Sequence, residues 1–217
     1  ERKTPWELMH SSATKGIEYK NFEVGTLAKP VIWDLGGQDQ YLQEYHGTLK
    51  ENIFKKASLL LYVVDALDTS KFDDAKSEFE WAAKEMLKFN PDATIHVFLH
   101  KIDLVHDRES IIQHFKHEFS ENIDAPILFH PTSIMDESLF IAWSQIIQKI
   151  SPRSTFINVT LKQLQNQSGV QEAMLIDKDT GLACSTTVEP ENEVKITGMV
   201  SLLIMTMERV IKTMELK

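Results

Sequence analysis

The chain has 217 residues, 42% hydrophobic and 25% charged, an ordinary globular composition with room for one domain or one and a half. Lysine and arginine number 23 against 32 aspartates and glutamates, so the formal charge of −9 argues against nonspecific binding to nucleic acid or anionic membranes, which clustered cations would draw. Cys184 stands alone, which excludes an internal disulfide, and the longest strongly apolar run, residues 59–64, is far short of the ~20 residues a membrane span needs.

Taken in chain order, apolar periodicity alternates between the steps of strands and of helices, the pattern of an α/β sheet. Residues 17–24 alternate, and Pro30-Val31-Ile32-Trp33-Asp34 follows a turn containing Gly25, which predicts a hairpin. Residues 58–65 are a continuous Leu- and Val-rich run, as expected of a strand covered on both faces. Residues 71–89 are predicted helical, with Phe72, Ala75, Phe79, Ala82, Ala83 and Met86 at three- and four-residue steps; Asn90-Pro91-Asp92 stops the helix. A second buried strand is predicted at 94–100, a polar amphipathic helix at 108–119, a third strand at 127–130 and a helix with one apolar side at 136–150. Right-handed crossovers between such strands make a mostly parallel, doubly wound sheet. The pattern changes at Ser151-Pro152-Arg153-Ser154. A helix (155–167), a hairpin (170–176 with 182–188) and a long apolar helix (191–214) follow, so a domain boundary is expected at Pro152, separating 1–151 from 152–217.

Three short segments carry candidate chemistry. Trp33-Asp34-Leu35-Gly36-Gly37-Gln38-Asp39 ends a predicted strand, where ligands of open α/β sheets sit. An Asp there can hold Mg²⁺ through water, a Gly lets a backbone N–H approach a phosphate, and a Gln can orient water; alone, the segment also reads as a plain strand-to-helix turn. His100-Lys101-Ile102-Asp103 follows the next buried strand but one. A carboxylate offers two acceptors to the N1–H and N2–H₂ of guanine, and the Lys stem can lie along a base plane; alone, it also reads as a solvated loop with a Lys–Asp pair. Thr132-Ser133-Ile134 follows the third strand, where backbone donors meet a base oxygen. In the order Asp34, Asp103, Ser133, each after a strand, the three reinforce one another.

D-x-G-G-Q, then [N/H]-K-x-D, then a [S/T]-[A/S] turn is the motif order of small GTPases of the Ras superfamily. His100 in place of the usual Asn narrows it, as do Asn52-Ile53-Phe54, Pro131-Thr132-Ser133-Ile134-Met135-Asp136-Glu137-Ser138-Leu139 and Ala142-Trp143-Ser144. With these the chain resembles the Rag/Gtr GTPases. Lys3-Thr4-Pro5 looks like one Rag subclass and Gly36-Gly37-Gln38-Asp39 like the other. The resemblance implies a Ras-like P-loop NTPase G domain in 1–151, followed by a partial α+β roadblock-type (longin-like) dimerisation domain in 152–217.

Residue by residue, the resemblance implies that Thr14 binds Mg²⁺ and closes over the γ-phosphate. Asp34 holds Mg²⁺ through water, Gly37 meets the γ-phosphate through its amide, and Gln38 orients the hydrolytic water. His100, Lys101 and Asp103, with Ser133 and Ile134, hold the guanine base. The implied function is a switch that hydrolyses GTP to GDP, the alternative a non-catalytic pseudo-GTPase scaffold acting through dimerisation. The implied partners are a related Rag-like GTPase or roadblock protein and GTPase-activating and exchange factors. Nucleic acid and direct membrane insertion are not expected; a cytoplasmic location is, with contact to an internal membrane only through a scaffold.

One departure stands out. A P-loop, G-x-x-x-x-G-K-[ST], cradles the phosphates in this superfamily, yet no Gly-Lys dipeptide occurs here and no Gly precedes Gly16. The expectation is a fragment, without methionine at its start, that lacks about one βα unit (~30 residues or more) and is inactive alone. Other candidates fall away. Asp177-x-Asp179-x-Gly181 starts like a calcium-binding loop, but its Gly comes one place early and Val188 stands where the bidentate Glu belongs, so a hairpin turn is expected. His114 and His117 share a helix face without accompanying ligands, and Cys184 sits mid-strand as a small core residue.

Overall fold

The computed structural model describes residues 14–24, 30–37 and 39–215. Gln38, the Lys3-Thr4-Pro5 segment and the Gly25 turn lie outside the described residues. In chain order the elements are β1 (Ile17–Asn21), β2 (Val31–Leu35), α1 (Asp39–Glu44), α2 (Lys50–Phe54), β3 (Leu59–Asp65), α3 (Phe72–Phe89), β4 (Thr94–His100), α4 (Arg108–Ser120), β5 (Ile127–Thr132), α5 (Ser138–Ile150), α6 (Ser154–Ser168), β6 (Met174–Ile176), β7 (Ala183–Thr186) and α7 (Pro190–Glu215). The alternation of strand and helix is the predicted one, and β3, β4 and β5 form a parallel sheet in sequence order. β1 and β2 form a separate two-stranded hairpin. The chain divides into two compact units, residues 1–19 with 33–135 and residues 20–32 with 136–217.

In the first unit, β4 is buried along Ile95, His96, Val97, Phe98 and Leu99, which explains its continuous apolar sequence. Ile95, Val97 and Leu99 face a core closed by Phe79 and Ala83 of α3 and by Phe115 and Phe119 of α4. Aromatic rings fill that core: Phe119 stacks on Phe79 at 4.9 Å and meets Phe115 at 5.3 Å and Phe72 at 5.8 Å. Tyr62 of β3 packs edge-on to Phe79, donates its hydroxyl to the carbonyl of Ala75 at 3.0 Å, and burial pushes its pKa up to about 12. Lys76 ties α3 to α4 through Glu118 at 2.7 Å and Glu121 at 3.0 Å. A second cluster joins Ile53 and Phe54 of α2 to Met86, Trp33 and Leu35. Between α1 and α2 the backbone makes a π-type turn, Tyr45–Leu49, kinked at Gly47 (φ −91°, ψ −117°).

In the second unit, Ile147 of α5 packs with Val24, Leu182 and Cys184, and with Phe22, Phe140 and Trp143 around them. α5 also holds the edge of β7: Ser144 Oγ accepts from the Ala183 N–H at 2.9 Å, and Gln148 donates to the Ala183 carbonyl. β6 and β7 are shorter than the predicted hairpin and carry a bulge at Leu175/Ile176, although the Thr187 N–H still donates to the Ala173 carbonyl at 2.9 Å beyond the ladder. Their turn needs no cation: Asp177 Oδ1 accepts from the Thr180 N–H (2.7 Å) and hydroxyl (2.6 Å), and Gly181 takes φ +73°, which side chains resist. Burial pushes the Cys184 thiol up to about 11, so it stays protonated and packs as a small apolar group.

α7 packs through small residues. Among the described residues, those it buries are small: Thr197, Gly198 and Ser201. A methyl on Gly198 would stand 2.5 Å from Glu137 Cγ and 2.9 Å from Ile141 Cδ1, so that helix lies hard against α5. The apolar residues Met199, Leu202, Leu203, Met207, Val210, Ile211 and Met214 are instead 50–71% exposed. No helix among the described residues is long and apolar enough to cross a membrane.

Phe119 is fully buried in the aromatic core and its ring meets those of Tyr62, Phe72, Phe79 and Phe115, so its truncation leaves a hole there. Phe119→Ala should cost about 3–5 kcal/mol, read as a lowered urea midpoint with an unchanged slope.

Candidate functional site

Strand register builds half of the site. Asp65 of β3 pairs with His100 of β4, and His100 with Thr132 of β5, so the carboxyl ends of three parallel strands form one row. That edge is where open α/β sheets receive ligands. The Ala66 N–H donates to the His100 carbonyl at 2.8 Å, and His100 Nδ1 lies 3.2 Å from Thr132 Oγ1. Burial, with Lys101 beside it, holds the His100 imidazole below the ordinary 6.5, while Asp65 and Asp103 pull the other way; the ring is neutral at physiological pH. Ser133 is fully buried and its Oγ accepts from the Met135 N–H at 2.9 Å, which shapes the turn that also carries the half-buried Ile134. Asp103 stands on the short 3₁₀ turn Ile102–Leu104, where Arg108 donates to its main-chain carbonyl at 3.2 Å.

Lys101 is unusual. Its backbone is left-handed, φ 60° and ψ 30°, and among the described residues it is the one non-glycine with positive φ. Its ammonium lies 2.5 Å from Asp65 Oδ2. The structure thus brings His100, Lys101, Asp103, Ser133 and Ile134 to one edge of one sheet, and adds Asp65 and Thr132, which motif reading did not single out as partners.

The second half lies at the end of β2. Thr14 donates its hydroxyl to Asp34 Oδ2 at 3.2 Å, so two residues 20 apart in sequence and expected to serve one cation are neighbours. The Gly16 carbonyl accepts from the Gly36 N–H and from the Tyr45 hydroxyl, each at 2.9 Å. Gly36 is the sterically required glycine of the pair: a Cβ on it would stand 2.4 Å from the Thr14 carbonyl oxygen. Gly37 is exposed with open space around it, as a residue offering its amide outward would be. The Gly-Gly pair signalled a close approach in the sequence; nothing there signalled Tyr45. Thr14 and Asp34 supply two hard oxygens, and among the described residues no group of three or more His, Cys, Asp or Glu side chains could hold a metal. That donor set suits a Mg²⁺ whose remaining ligands are water and phosphate oxygens.

The family model described as "Gtr1/RagA G protein conserved region" matches residues 1–212. This chain belongs to that family. Its relatives include the GTP-binding protein GTR1 of Saccharomyces cerevisiae, 36% identical over 169 residues, which are 75% of this chain and 54% of the yeast protein. The yeast GTP-binding protein GTR2 is 28% identical over 86% of this chain and 55% of its own length. The human Ras-related GTP-binding protein C is 28% identical over 86% of this chain and 48% of its own. The chain thus spans about half the length of these relatives. For a Gtr/Rag chain the α/β sheet with the motif loops at its carboxyl edge is the Ras-like G-domain fold, in agreement with the motif order.

The tightest crowding at Gly36 is against the backbone of Thr14, which no rotamer change relieves. Gly36→Ala should displace the Thr14 segment and cost about 1–3 kcal/mol, read as a lower melting temperature, whereas Gly37→Ala should change it by less than about 0.5 kcal/mol.

Proposed function

We propose that this Gtr/Rag chain forms the guanine-reading and switch portion of a GTP-binding switch that hydrolyses GTP to GDP. The observation that carries the reading is the row at the sheet edge, His100, Lys101 and Asp103 beside Ser133 and Ile134, on the frame set by Asp65, His100 and Thr132. Asp103 accepts from the two guanine donors, and adenine, which presents an acceptor there, is refused. The neutral His100 ties the two strand ends through Thr132 and keeps the base loops in place. Ser133 and Ile134 offer backbone donors to the base oxygen. Thr14 and Asp34 would hold Mg²⁺, Asp34 through water, and the ion would supply charge neutralisation for the phosphates. Gly37 donates its amide to the γ-phosphate, and Gln38 orients water for in-line attack. Catalysis on this reading is positioning and electrostatics, with no covalent intermediate.

The test is the base preference. In the protein expressed from its complete coding sequence, Asp103→Ala should weaken binding of a fluorescent GDP by ~10² or more, because the guanine donors lose both acceptors. Equal affinities of variant and parent overturn the assignment.

A second feature belongs to the same reading. Residues 152–217 act as a roadblock-type dimerisation domain joined to a G domain at 1–151, with a related Gtr/Rag GTPase as partner and activating and exchange factors acting on the nucleotide site. The support is the outward apolar stripe of α7, in which seven large apolar side chains are half or more exposed; contiguous apolar surface of this kind commonly marks a protein interface. A pseudo-GTPase scaffold would use the same surface without turnover. On either version the protein works in the cytoplasm and reaches internal membranes only through a scaffold. The outward positions are Leu203 and Val210, 57% and 52% exposed, whereas Val200 is half-buried. Leu203→Glu with Val210→Glu should convert the dimer with a co-expressed Gtr/Rag relative to monomers in sedimentation velocity. Monomers before any mutation remove the dimer from the reading.

A further inference from the structure

The Asp65–Lys101 pair is more ordered than surface ion pairs need to be. Such pairs usually join two mobile side chains and add little. Here both ends are fixed by other means. Asp65 closes β3, its register partner is His100, and its second oxygen accepts from the Leu67 N–H at 3.0 Å. Lys101 leaves β4 in a left-handed conformation that side chains resist, and a 3₁₀ turn starts immediately after it, with the Leu104 N–H on the Lys101 carbonyl at 3.0 Å. Side-chain exposures are 34% for Asp65 and 50% for Lys101, so the pair lies open at the sheet edge. Burial would raise the Asp65 pKa, but the bonds from Lys101 and from the Leu67 amide outweigh it and hold the carboxylate below its ordinary value, ionised at neutral pH.

A lysine stem is long and rotamer-rich, and ordering it only when a nucleotide arrives would be charged against affinity. Strain at a functional edge is the usual mark of a group held in advance. We propose that Asp65 is a positioning residue of the nucleotide site, fixing Lys101 over the row of strand ends so that the lysine meets the base already set. The inference rests on the guanine-site reading above and adds a residue outside its motifs. The opposite sense, in which Asp65 draws the ammonium away from ligand, is disfavoured by the register: Asp65 lies beside His100 in the row that carries the site.

The experiment is a titration of the protein from its complete coding sequence with a fluorescent GDP. Asp65→Asn keeps an acceptor for the Leu67 amide and removes the charge that holds Lys101. It should weaken binding about tenfold, the scale of one charge-assisted hydrogen bond, with the melting temperature of nucleotide-free protein unchanged. Asp65→Glu should restore most of the loss. The decisive comparison is Asp65→Asn in a Lys101→Met background, where the double variant should bind no more weakly than Lys101→Met alone; losses that add would assign Asp65 a merely structural role and overturn the proposal. Unchanged or tighter binding by Asp65→Asn, alongside a loss in Asp103→Ala, overturns it while leaving the guanine site standing. An Asp103→Ala protein that binds like the parent brings down the guanine site and this inference together.

Discussion

The register of three parallel strands is the constraint on which the first unit depends. Side chains alternate along a strand, so a slip of one residue would exchange the two faces of the sheet. In the observed register Ile95, Val97 and Leu99 enter the aromatic core between α3 and α4, while His96, Phe98 and His100 take the opposite face with Leu128, His130 and Thr132. That second face is buried and partly polar: His96 Nδ1 and His130 Nε2 are 2.9 Å apart, one donating and the other accepting. A slip would bury a histidine among the phenylalanines and break this pair. The same register sets Asp65, His100 and Thr132 side by side, so the packing that stabilises the sheet also places the groups at its edge.

Polar groups in this protein are ordered by short, specific partners rather than by net charge, which at −9 is repulsive. Lys76 sits between Glu118 and Glu121, and those bonds hold its pKa above the ordinary lysine value. Glu85, buried on α3, is reached by Lys88 of the same helix and by Lys50 of α2. Lys76 thus joins α3 to α4, and Lys50 joins α2 to α3. The Asp65–Lys101 pair differs because it joins two strand ends at a site, and the strained backbone of Lys101 makes sense there as a price of geometry.

The second unit shows how a helix can be apolar and yet pack through its small residues. Close approach of α7 to α5 requires a residue without a side chain at 198, and Thr197 and Ser201 border it. Met199, Leu202, Leu203, Met207, Val210, Ile211 and Met214 stand outward, while Val200 and Ile204 are half-buried. Propensity and periodicity give the helix; contact distance decides which stripe it turns inward.

The sequence by itself determined the alternation of elements, since β-branched and aromatic runs, three-to-four-residue spacing and breakers such as Asn90-Pro91-Asp92 act locally. It also determined the chemistry on offer at Asp34, His100, Lys101, Asp103 and Ser133, because functional groups at strand ends are read from one stretch of chain at a time. The family membership rests on the same linear pattern. Only the tertiary structure decided what meets what. Thr14 bonds Asp34 across 20 residues, Lys101 reaches Asp65 across 36, and Gly36 rather than Gly37 bears the close backbone contact. The shortened β6–β7 hairpin and the outward stripe of α7 were likewise settled by packing. Register, helix contact and a bond between distant residues depend on how separate segments share space, and no local window of sequence carries that information.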